Sequence, residues 1–293
     1  MKKILQIGKI GQLGWELLRT CAPLGEVVAL DYPDVDLSDN NGLRELVRNV
    51  KPDIIINAAA YTNVDKAESE PEKARAINAT GPGVLAEEAK KINAVLLHYS
   101  TDYVFDGIKD SPYVETDLPN PISVYGQTKL EGEQAVVASG CSYLVLRSSW
   151  IYSRHSGFVA KVLEWARTQE TIRIVDDQIS SPTPARLMAE ITAGLISKIE
   201  TNPVDWMLER KGIYHCACNG YCSRYEWAKE VLRLSSNLHR LPNQVLLPAM
   251  TSDFSTPAHR PLRSRLDSSM FEATFGMKIP NWLDALEMTM EVH

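Results

Sequence analysis

Short apolar runs alternate with amphipathic stretches through the first half of the chain. The apolar runs predict strands at 3–7, 26–31, 53–57, 94–99 and 143–147. Between them, helical patterns cover 15–19, 36–50, 72–91 with an interruption by Gly-Pro-Gly at 81–83, and a segment containing Tyr125 and Lys129. Strands that are apolar on both faces and alternate with helices are typical of a parallel sheet covered on both sides. We therefore predict an α/β fold with a doubly wound, Rossmann-like parallel sheet.

The pattern becomes less regular after Trp150. It predicts a helix over 158–168, a strand over 172–175 and a further helix after Pro184. We expect a first domain at 1–151, to which the chain returns near 180–218, and a smaller C-terminal α/β lobe at 152–293. In a doubly wound sheet, ligands bind beyond the carboxyl ends of the strands. The segments that follow four of the predicted strands should therefore form one crevice.

Composition excludes several classes of protein. Of the 293 residues, 44% are apolar and 23% charged, which is typical of a soluble globular chain. The net charge of -6 argues against a broad surface for nucleic acid or anionic membranes. No run approaches the ~20 apolar residues that a membrane helix needs, and the start Met1–Gly8 is too short an apolar stretch for a signal peptide. We expect a cytoplasmic protein with no membrane or nucleic-acid partner, and five reduced cysteines.

One cluster of potential metal ligands is present. His215, Cys216, Cys218 and Cys222 are residue types that zinc prefers. However, alternation along 213–218 is that of a buried strand, and no second ligand pair at finger-like spacing accompanies it. We favour the buried strand and predict no metal.

A glycine turn follows the first strand. Gly8, Gly11 and Gly14 would let backbone amides approach a pyrophosphate at the start of a helix. Asp31 ends the second strand, where an acidic side chain binds an adenosine ribose and favours NAD. Lys9 could instead neutralise a 2'-phosphate, so the preference between NADH and NADPH stays open. We predict that 1–151 is a dinucleotide-binding domain.

Tyr125 and Lys129 carry the candidate chemistry. At positions i and i+4 of a helix they share one face, where an ammonium would favour the phenolate and lower the pKa of the tyrosine. Such a phenol exchanges a proton with a carbonyl or alcohol oxygen. Thr101, at the end of the fourth strand, would orient the phenol and a substrate carbonyl, unless its hydroxyl only satisfies the backbone. Trp150 would stack on a sugar or base, or belong to the core.

These motifs resemble the dTDP-4-dehydrorhamnose reductase family of the extended short-chain dehydrogenase/reductase superfamily. The matching blocks, in order, are Gly8–Glu16, Asn57–Glu68, His98–Phe105, Tyr125–Lys129, Arg147–Trp150 and Arg260–Asp267. The resemblance implies reduction of the 4-keto group of dTDP-4-dehydro-L-rhamnose by NADPH or NADH. It implies that Tyr125 donates the proton, that Lys129 lowers its pKa and holds the nicotinamide ribose, and that Thr101 tunes the phenol.

The resemblance also implies positions for the ligands, in the cleft between a cofactor-binding domain and a substrate lobe. The cofactor positions are Gly8, Gly11, Gln12, Leu13, Asp31, Asp36, Leu37, Ala60, Tyr61, Thr62, Tyr125 and Lys129. The substrate positions are Val64, Thr101, Asp102, Trp150 and Arg260. Apart from the resemblance, Arg260 and Arg265 would either contact the diphosphate of the dTDP-sugar or cap the terminal helices.

The resemblance breaks down at one metal site. Some members of the family hold Mg²⁺ at a dimer interface with two glutamates; Glu16 matches the first, but Arg186 stands in place of the second. A guanidinium cannot ligate a cation and would pair with carboxylates instead. We expect a monomer or homodimer without a metal bridge.

Two other functions fit the first domain. One is a reductase or epimerase of a different nucleotide sugar, which would share this domain but not the Arg260-Pro-x-x-Ser segment. The other is a non-catalytic NADP-binding regulatory subunit, against which the presence of Thr101, Tyr125 and Lys129 together argues.

Overall fold

The computed structural model describes residues 1–154, 156–199, 203–235 and 245–290. The strands are β1 Lys2–Ile7, β2 Gly25–Leu30, β3 Ile54–Asn57, β4 Val95–Thr101, β5 Ser142–Ser148, β6 Ile151–Tyr152, β7 Thr171–Val175, β8 Ile179–Ser180, β9 Thr183–Pro184, β10 Gly212–His215, β11 Cys222–Ser223 and β12 Val245–Ala249. The helices are α1 Gln12–Cys21, α2 Asn40–Val50, α3 Val64–Ala67, α4 Pro71–Arg75, α5 Gly81–Lys91, α6 Val124–Ser139, α7 Gly157–Thr168, α8 Ala185–Lys198, α9 Pro203–Leu208, α10 Arg224–Ser235, α11 Ser269–Phe275 and α12 Trp282–Met290.

Six strands form one parallel sheet in the order β2-β1-β3-β4-β5-β10. The chain passes from β1 outward to β2 and then crosses back over β1 to β3, so the direction of winding reverses between β1 and β3. At such a reversal the loops diverge and leave a crevice at the carboxyl edge of the sheet. The predicted α/β fold with a doubly wound, Rossmann-like sheet is confirmed.

The central strands bury both of their faces because successive side chains point to opposite sides. Ile4, Ile54 and Ile56 pack with residues of α1 and α8 on one side. Leu5 and Ile55 pack with residues of α2 and α5 on the other. Each fully buried side chain of this size contributes about 1.5–3 kcal/mol. Apolar runs without alternation therefore correspond to strands covered by helices on both sides.

Later parts of the chain contribute both to this sheet and to a second core. β10 pairs with β5, and α8 packs against α1. The second core surrounds Trp227 and includes Tyr152, Val159, Ile174 and Leu286. Short strand pairs β6–β9, β7–β12 and β8–β11 accompany it. The domain limits at 151 and 152 stay a prediction.

Two predicted helices differ from the structure. The helix expected from residue 36 begins at Asn40, because the Asp39 side chain accepts hydrogen bonds from the backbone of Asn41 and Gly42 and caps it there. The expected interruption at 81–83 is absent, since the chain continues from α4 through a π-helical turn at Ala76–Thr80 into α5. Pro82 lies directly after this π-helical turn, near the start of α5.

Among the described residues, no helix combines the length and the apolar character needed to cross a membrane. All five cysteines are buried and free of disulfide bonds. In the described part of the chain, no three His, Cys, Asp or Glu side chains group closely enough to hold a metal ion.

Candidate active site

A cleft of about 600 Å³ lies at the carboxyl edge of the sheet, beyond β1, β3, β4 and β5. The glycine turn, the segment after β3, the end of β4 and the segment after β5 meet there. The predicted site residues that line the cleft are Gly8, Gly11, Gln12, Leu13, Asp31, Ala60, Thr62, Val64, Thr101, Asp102, Tyr125, Lys129 and Trp150. One cleft therefore brings together residues predicted for catalysis, cofactor and substrate.

Two predicted cofactor residues near β2 lie outside the cleft lining. The Asp36 carboxylate accepts hydrogen bonds from the backbone N–H and the hydroxyl of Ser38, at 2.8 and 2.6 Å. Leu37 is buried in the core on the α2 side of the sheet. Their contacts are those of a turn and of a core residue, and a role in cofactor binding stays a prediction.

Tyr61 and Arg260 are likewise outside the lining. The Tyr61 hydroxyl donates to Glu70 at 2.8 Å. The Arg260 guanidinium donates to the Asp65 carboxylate at 2.7 Å. Both groups already have a carboxylate partner, so their ligand contacts also stay predictions.

The glycine turn has the shape that a pyrophosphate needs. Gly8 has a φ of +95°, and a Cβ atom there would lie 2.7 Å from the backbone nitrogen of Ala59. Position 8 therefore excludes a side chain, which keeps the turn close to the segment after β3. Gly11 caps α1 and lines the cleft with Gln12 and Leu13. The first N–H groups of a helix lack intrahelical partners and carry partial positive charge, so this surface fits the pyrophosphate of a dinucleotide.

Asp31 helps to hold this turn. Its carboxylate accepts from the backbone N–H groups of Ile10 and Tyr32, each at 2.9 Å, and also lines the cleft. A carboxylate has about four acceptor positions, so a ribose hydroxyl can still bind. The ammonium of Lys9 lies 3.7 Å from the carboxylate of Asp34. Both residues expected to distinguish NADH from NADPH have protein partners, so the preference stays open.

The start of α6 positions the predicted catalytic pair. The Ser123 hydroxyl oxygen accepts from the N–H of Gly126 at 3.2 Å and caps the helix. Tyr125 therefore lies in the first turn, and Lys129 lies one turn later on the same face. A Cβ atom at Gly126 would lie 2.2 Å from the carbonyl oxygen of Tyr103. Glycine thus allows α6 to approach the end of β4 closely.

The Tyr125 phenol is a protonated group near neutral pH. Burial raises its pKa above the ordinary value, while the hydrogen bond with Thr101 acts in the opposite direction and the charge of Asp102 raises the pKa further. This direction is opposite to the one expected from the neighbouring Lys129, because burial outweighs the other influences. A protonated phenol is the form that can donate a proton.

Lys129 is buried and makes specific contacts. Its ammonium nitrogen donates to the carbonyl oxygen of Tyr99 at 2.7 Å and lies 3.3 Å from Nε2 of His98. Burial lowers the pKa of Lys129 to about 8, although the charge of Glu133 acts to raise it. Burial, followed by the charge of Lys129, lowers the pKa of His98 well below its ordinary value. His98 is therefore a neutral imidazole.

The tautomer of His98 follows from its other neighbours. The backbone N–H of Ala59 donates to the Asn57 side-chain oxygen at 3.3 Å, so the amide nitrogen of Asn57 faces Nδ1 of His98 at 3.2 Å. Because an amide nitrogen only donates, Nδ1 accepts and the ring proton is on Nε2, facing Lys129. The sequence analysis did not identify Asn57 and His98 as neighbours of Lys129. The available signal was a polar residue at a buried position in each of two apolar strands.

Asp102 is a second titrating group at the cleft. It is buried, and its carboxylate accepts from the hydroxyls of Thr101 at 3.2 Å, Ser180 at 3.3 Å and Ser264. Burial raises the pKa of Asp102 to about 6, in opposition to these hydrogen bonds. Its charge therefore changes just below neutral pH.

Trp150 is held in a strained conformation beside a residue that the sequence analysis also missed. Its φ is +43°, which costs of order 1–3 kcal/mol for a residue that is not glycine. The ring stacks on Trp227 at 5.7 Å, and the guanidinium carbon of Arg224 lies 3.9 Å from its centre. Arg224 lines the cleft, and no motif identified it.

The surface around Glu16 contains the direct ion pairs expected of a guanidinium. Arg186 lies 3.4 Å from the Glu16 carboxylate and 2.6 Å from that of Glu190. The Arg186 guanidinium therefore occupies the place beside Glu16 where a second metal-binding glutamate was expected from the family. The absence of a metal-bridged dimer stays a prediction.

Comparison with known proteins gives one consistent relationship. Residues 1–293 match the family described as RmlD substrate binding domain. The dTDP-4-dehydrorhamnose reductase of Escherichia coli (strain K12) is 40% identical over 285 residues, which cover 95% of this chain and 94% of that protein.

Solved structures agree with this relationship. A dTDP-4-dehydrorhamnose reductase from Clostridium acetobutylicum ATCC 824 superposes with a TM-score of 0.90 at 35% identity and covers 98% of both chains. The dTDP-4-dehydrorhamnose reductase of Bacillus anthracis str. Ames, solved in complex with NADP, superposes with a TM-score of 0.89 at 31% identity and also covers 98% of both chains. This chain therefore belongs to the dTDP-4-dehydrorhamnose reductase family, a family of NAD(P)H-dependent oxidoreductases.

Proposed function

We propose that this protein reduces the 4-keto group of dTDP-4-dehydro-L-rhamnose to give dTDP-L-rhamnose, with NADPH or NADH as reductant and Tyr125 as proton donor. The observation that carries the proposal is the meeting of Tyr125, Lys129 and Thr101 in one cleft with the glycine turn. The same cleft offers a helix N-terminus for a pyrophosphate and a proton donor for a carbonyl oxygen.

Tyr125, Thr101 and Lys129 have separate roles in the proposed reduction. When bound, the nicotinamide supplies a hydride to the carbonyl carbon. Tyr125 gives its proton to the carbonyl oxygen, and because burial raises its pKa the phenol is protonated before the reaction. The Thr101 hydroxyl orients the phenol. Lys129, fixed by the carbonyl of Tyr99, binds the nicotinamide ribose and adjusts the charge beside the phenol.

Cofactor and substrate occupy different walls of the cleft in this proposal. The cofactor wall consists of Gly8, Gly11, Gln12, Leu13, Asp31, Ala60 and Thr62, with predicted contributions from Asp36, Leu37 and Tyr61. The substrate wall consists of Val64, Thr101, Asp102 and Trp150, with a predicted contribution from Arg260. Because Lys9 and Asp31 both have protein partners, both reduced cofactors should be measured.

The test is turnover with defined substrates. Purified protein should oxidise NADPH or NADH when dTDP-4-dehydro-L-rhamnose is present and not in its absence. The matched control is the corresponding 4-keto sugar on another nucleotide. Turnover of the control alone would favour another nucleotide-sugar reductase, and tight NADPH binding with no turnover of any keto sugar would favour a regulatory subunit.

A further inference from the structure

Arg224 is the first residue of α10, and its side chain lines the same cleft as Tyr125. Its guanidinium carbon lies 3.9 Å from the ring centre of Trp150 and 5.1 Å from that of Phe158. Stacking on aromatic rings fixes the plane of a guanidinium while its N–H groups remain directed outward from the edge. Arg224 is therefore a preorganised donor at the wall of the cleft.

Arg224 lacks the carboxylate partner that Arg260 and Arg147 have. Within the described ranges, no Asp or Glu oxygen lies within 4.0 Å of its guanidinium, whereas Arg260 has Asp65 at 2.7 Å and the buried Arg147 has Glu133 at 2.6 Å. Arg224 is partly exposed at the wall of the cleft, so its guanidinium is open to an anionic ligand that would supply the missing negative charge.

The charges nearby are consistent with an anionic ligand. Burial lowers the pKa of Arg224, and the positive charge of Arg260 acts in the same direction, while Tyr103 and Asp102 act to raise it. Arg224 and Arg260 each interact with the Tyr103 hydroxyl. Two cations thus converge on one neutral hydroxyl.

The position of this cationic corner fits the proposed substrate. The rings of Tyr103 and Tyr125 meet edge to face with their centres 5.6 Å apart, so one aromatic ring separates the phenol from the two arginines. A pyranose whose keto oxygen is at Tyr125 would direct its phosphorylated end toward Arg224. The glycine turn, which fits the pyrophosphate of the cofactor, follows β1, two strands away in the sheet from β4, which Tyr103 follows.

We propose that Arg224 binds the diphosphate of the nucleotide sugar, at the corner formed by Arg224, Tyr103 and Arg260. The sequence analysis assigned that group to Arg260 and Arg265. In the structure, Arg265 donates to the backbone carbonyl of Asp110 and lies over the Tyr221 ring. The inference rests on the proposed function for the identity of the sugar nucleotide, but binding of a nucleoside diphosphate tests it without turnover.

The experiment compares binding of dTDP, thymidine and NADPH by calorimetry to the full chain and its variants. Arg224→Met keeps an unbranched side chain against Trp150 and removes the charge. It should weaken dTDP binding about 10- to 100-fold, the usual effect of losing charged hydrogen bonds, and leave thymidine and NADPH affinities unchanged. Arg224→Lys keeps the charge without the planar guanidinium, and its dTDP affinity should lie between those of the wild type and Arg224→Met. Arg233→Gln, on the same helix and in exposed ion pairs with Glu230 and Glu287, should bind dTDP like the wild type.

The outcomes separate this inference from the proposed function. Unchanged dTDP affinity in both Arg224 variants would overturn the inference. So would an equal loss of affinity for thymidine and NADPH in these variants. A wild-type protein that binds no dTDP would also overturn it. If Arg224→Met does not fold, wild-type dTDP affinity in Arg224→Lys would overturn it, since a fork on the diphosphate is specific to arginine. Arg224-dependent dTDP binding without keto-sugar turnover would support the diphosphate site and count against the proposed reaction.

Discussion

The amine nitrogen of Lys129 lies 3.3 Å from Nε2 of His98, and the hydrogen bonds of Asn57 put the ring proton between them. A proton on Nε2 is accepted by the lone pair of a neutral amine and repelled by an ammonium. Burial already lowers the pKa of Lys129 to about 8. An ordinary lysine, with a pKa of about 10.4, would stay charged throughout the physiological range. With its lowered pKa, Lys129 instead changes charge close to the physiological pH range.

Replacing His98 should change the pH range in which the enzyme works. In His98→Leu the donor that favours the neutral amine is gone, so the pKa of Lys129 should rise. The ammonium is the form that we propose acts beside the phenol, so the basic limb of the pH profile of kcat/KM should move up by about half a pH unit or more. His98→Gln, which keeps an N–H donor, serves as the control and should move the limb less. Identical profiles for the wild type and both variants would contradict the role given to His98.

Tyr125→Phe should lose most of the turnover and keep the cofactor. Removing a general acid lowers kcat by on the order of 10²–10⁴-fold. NADPH affinity, measured by fluorescence titration, should stay close to that of the wild type because the phenol hydroxyl acts on the substrate oxygen. Tyr143→Phe on β5, outside the cleft lining, is the matched control and should retain activity. A Tyr125→Phe enzyme with normal kcat would remove the phenol from the mechanism.

The strands and the cleft could be predicted because they depend on local signals. A strand buried on both faces needs an unbroken apolar run, so all five runs in the first half correspond to strands within two residues of the predicted ends. The ends of helices depend on single side-chain contacts. The carboxylate of Asp39 therefore moved the start of α2 to Asn40, although the amphipathic pattern begins earlier.

Residues that act through contacts distant in the chain could not be predicted in the same way. Asn57 and His98 belong to neighbouring strands 41 positions apart, and only strand pairing brings their side chains together. Arg224 reaches the cleft because α10 begins beside Trp150, a contact between two parts of the chain that share no motif. The direction of the Tyr125 pKa depends on burial, which a spacing of four residues does not report.

The buried ion pair behind Lys129 should be important for stability. Glu133 and Arg147 are both buried and joined by two hydrogen bonds, of 2.9 and 2.6 Å. Glu133→Ala leaves the guanidinium buried without a counter-ion and should lower the free energy of unfolding by about 3–5 kcal/mol. Glu287→Ala breaks an exposed pair with Arg233 and should cost under about 1 kcal/mol. Urea denaturation measures both, and equal losses would show that burial of the first pair has no special effect.

Removing divalent metal should leave the protein unchanged. Arg186 pairs with both Glu16 and Glu190, so a cation bound there would have to displace a guanidinium from two carboxylates. We expect the same melting temperature and the same sedimentation coefficient with EDTA as with Mg²⁺. A dimer that dissociates only with EDTA would show that a metal bridges the subunits.

Glu88 should make stability depend on pH in the acid range. Its buried carboxylate accepts from Arg48, Lys91 and Arg44. Hydrogen bonds from these residues, led by that from Arg48, lower its pKa to about 2 against the opposing effect of burial. In the unfolded chain the pKa of a glutamate is about 4.3. The folded state therefore binds the proton less strongly, so this stabilisation is complete above pH ~4.3 and is lost as the pH falls toward 2.

Comparison with Glu88→Gln isolates this contribution. Above pH 5 the variant should unfold more easily by about 1–2 kcal/mol, a value kept small because Arg48 and Lys91 are more than half exposed and solvent screens their charges. As the pH falls from about 4.3 toward 2, the Glu88 carboxyl becomes protonated in the unfolded wild-type chain before it does so in the folded one, and the difference should shrink toward zero. Glu87→Gln, at an exposed position beside it, should show a smaller difference at every pH. A difference in the free energy of unfolding that stays constant between pH 7 and 2 would mean that the charge of Glu88 does not stabilise the fold. Protonation removes that charge, so a contribution from it must disappear at low pH.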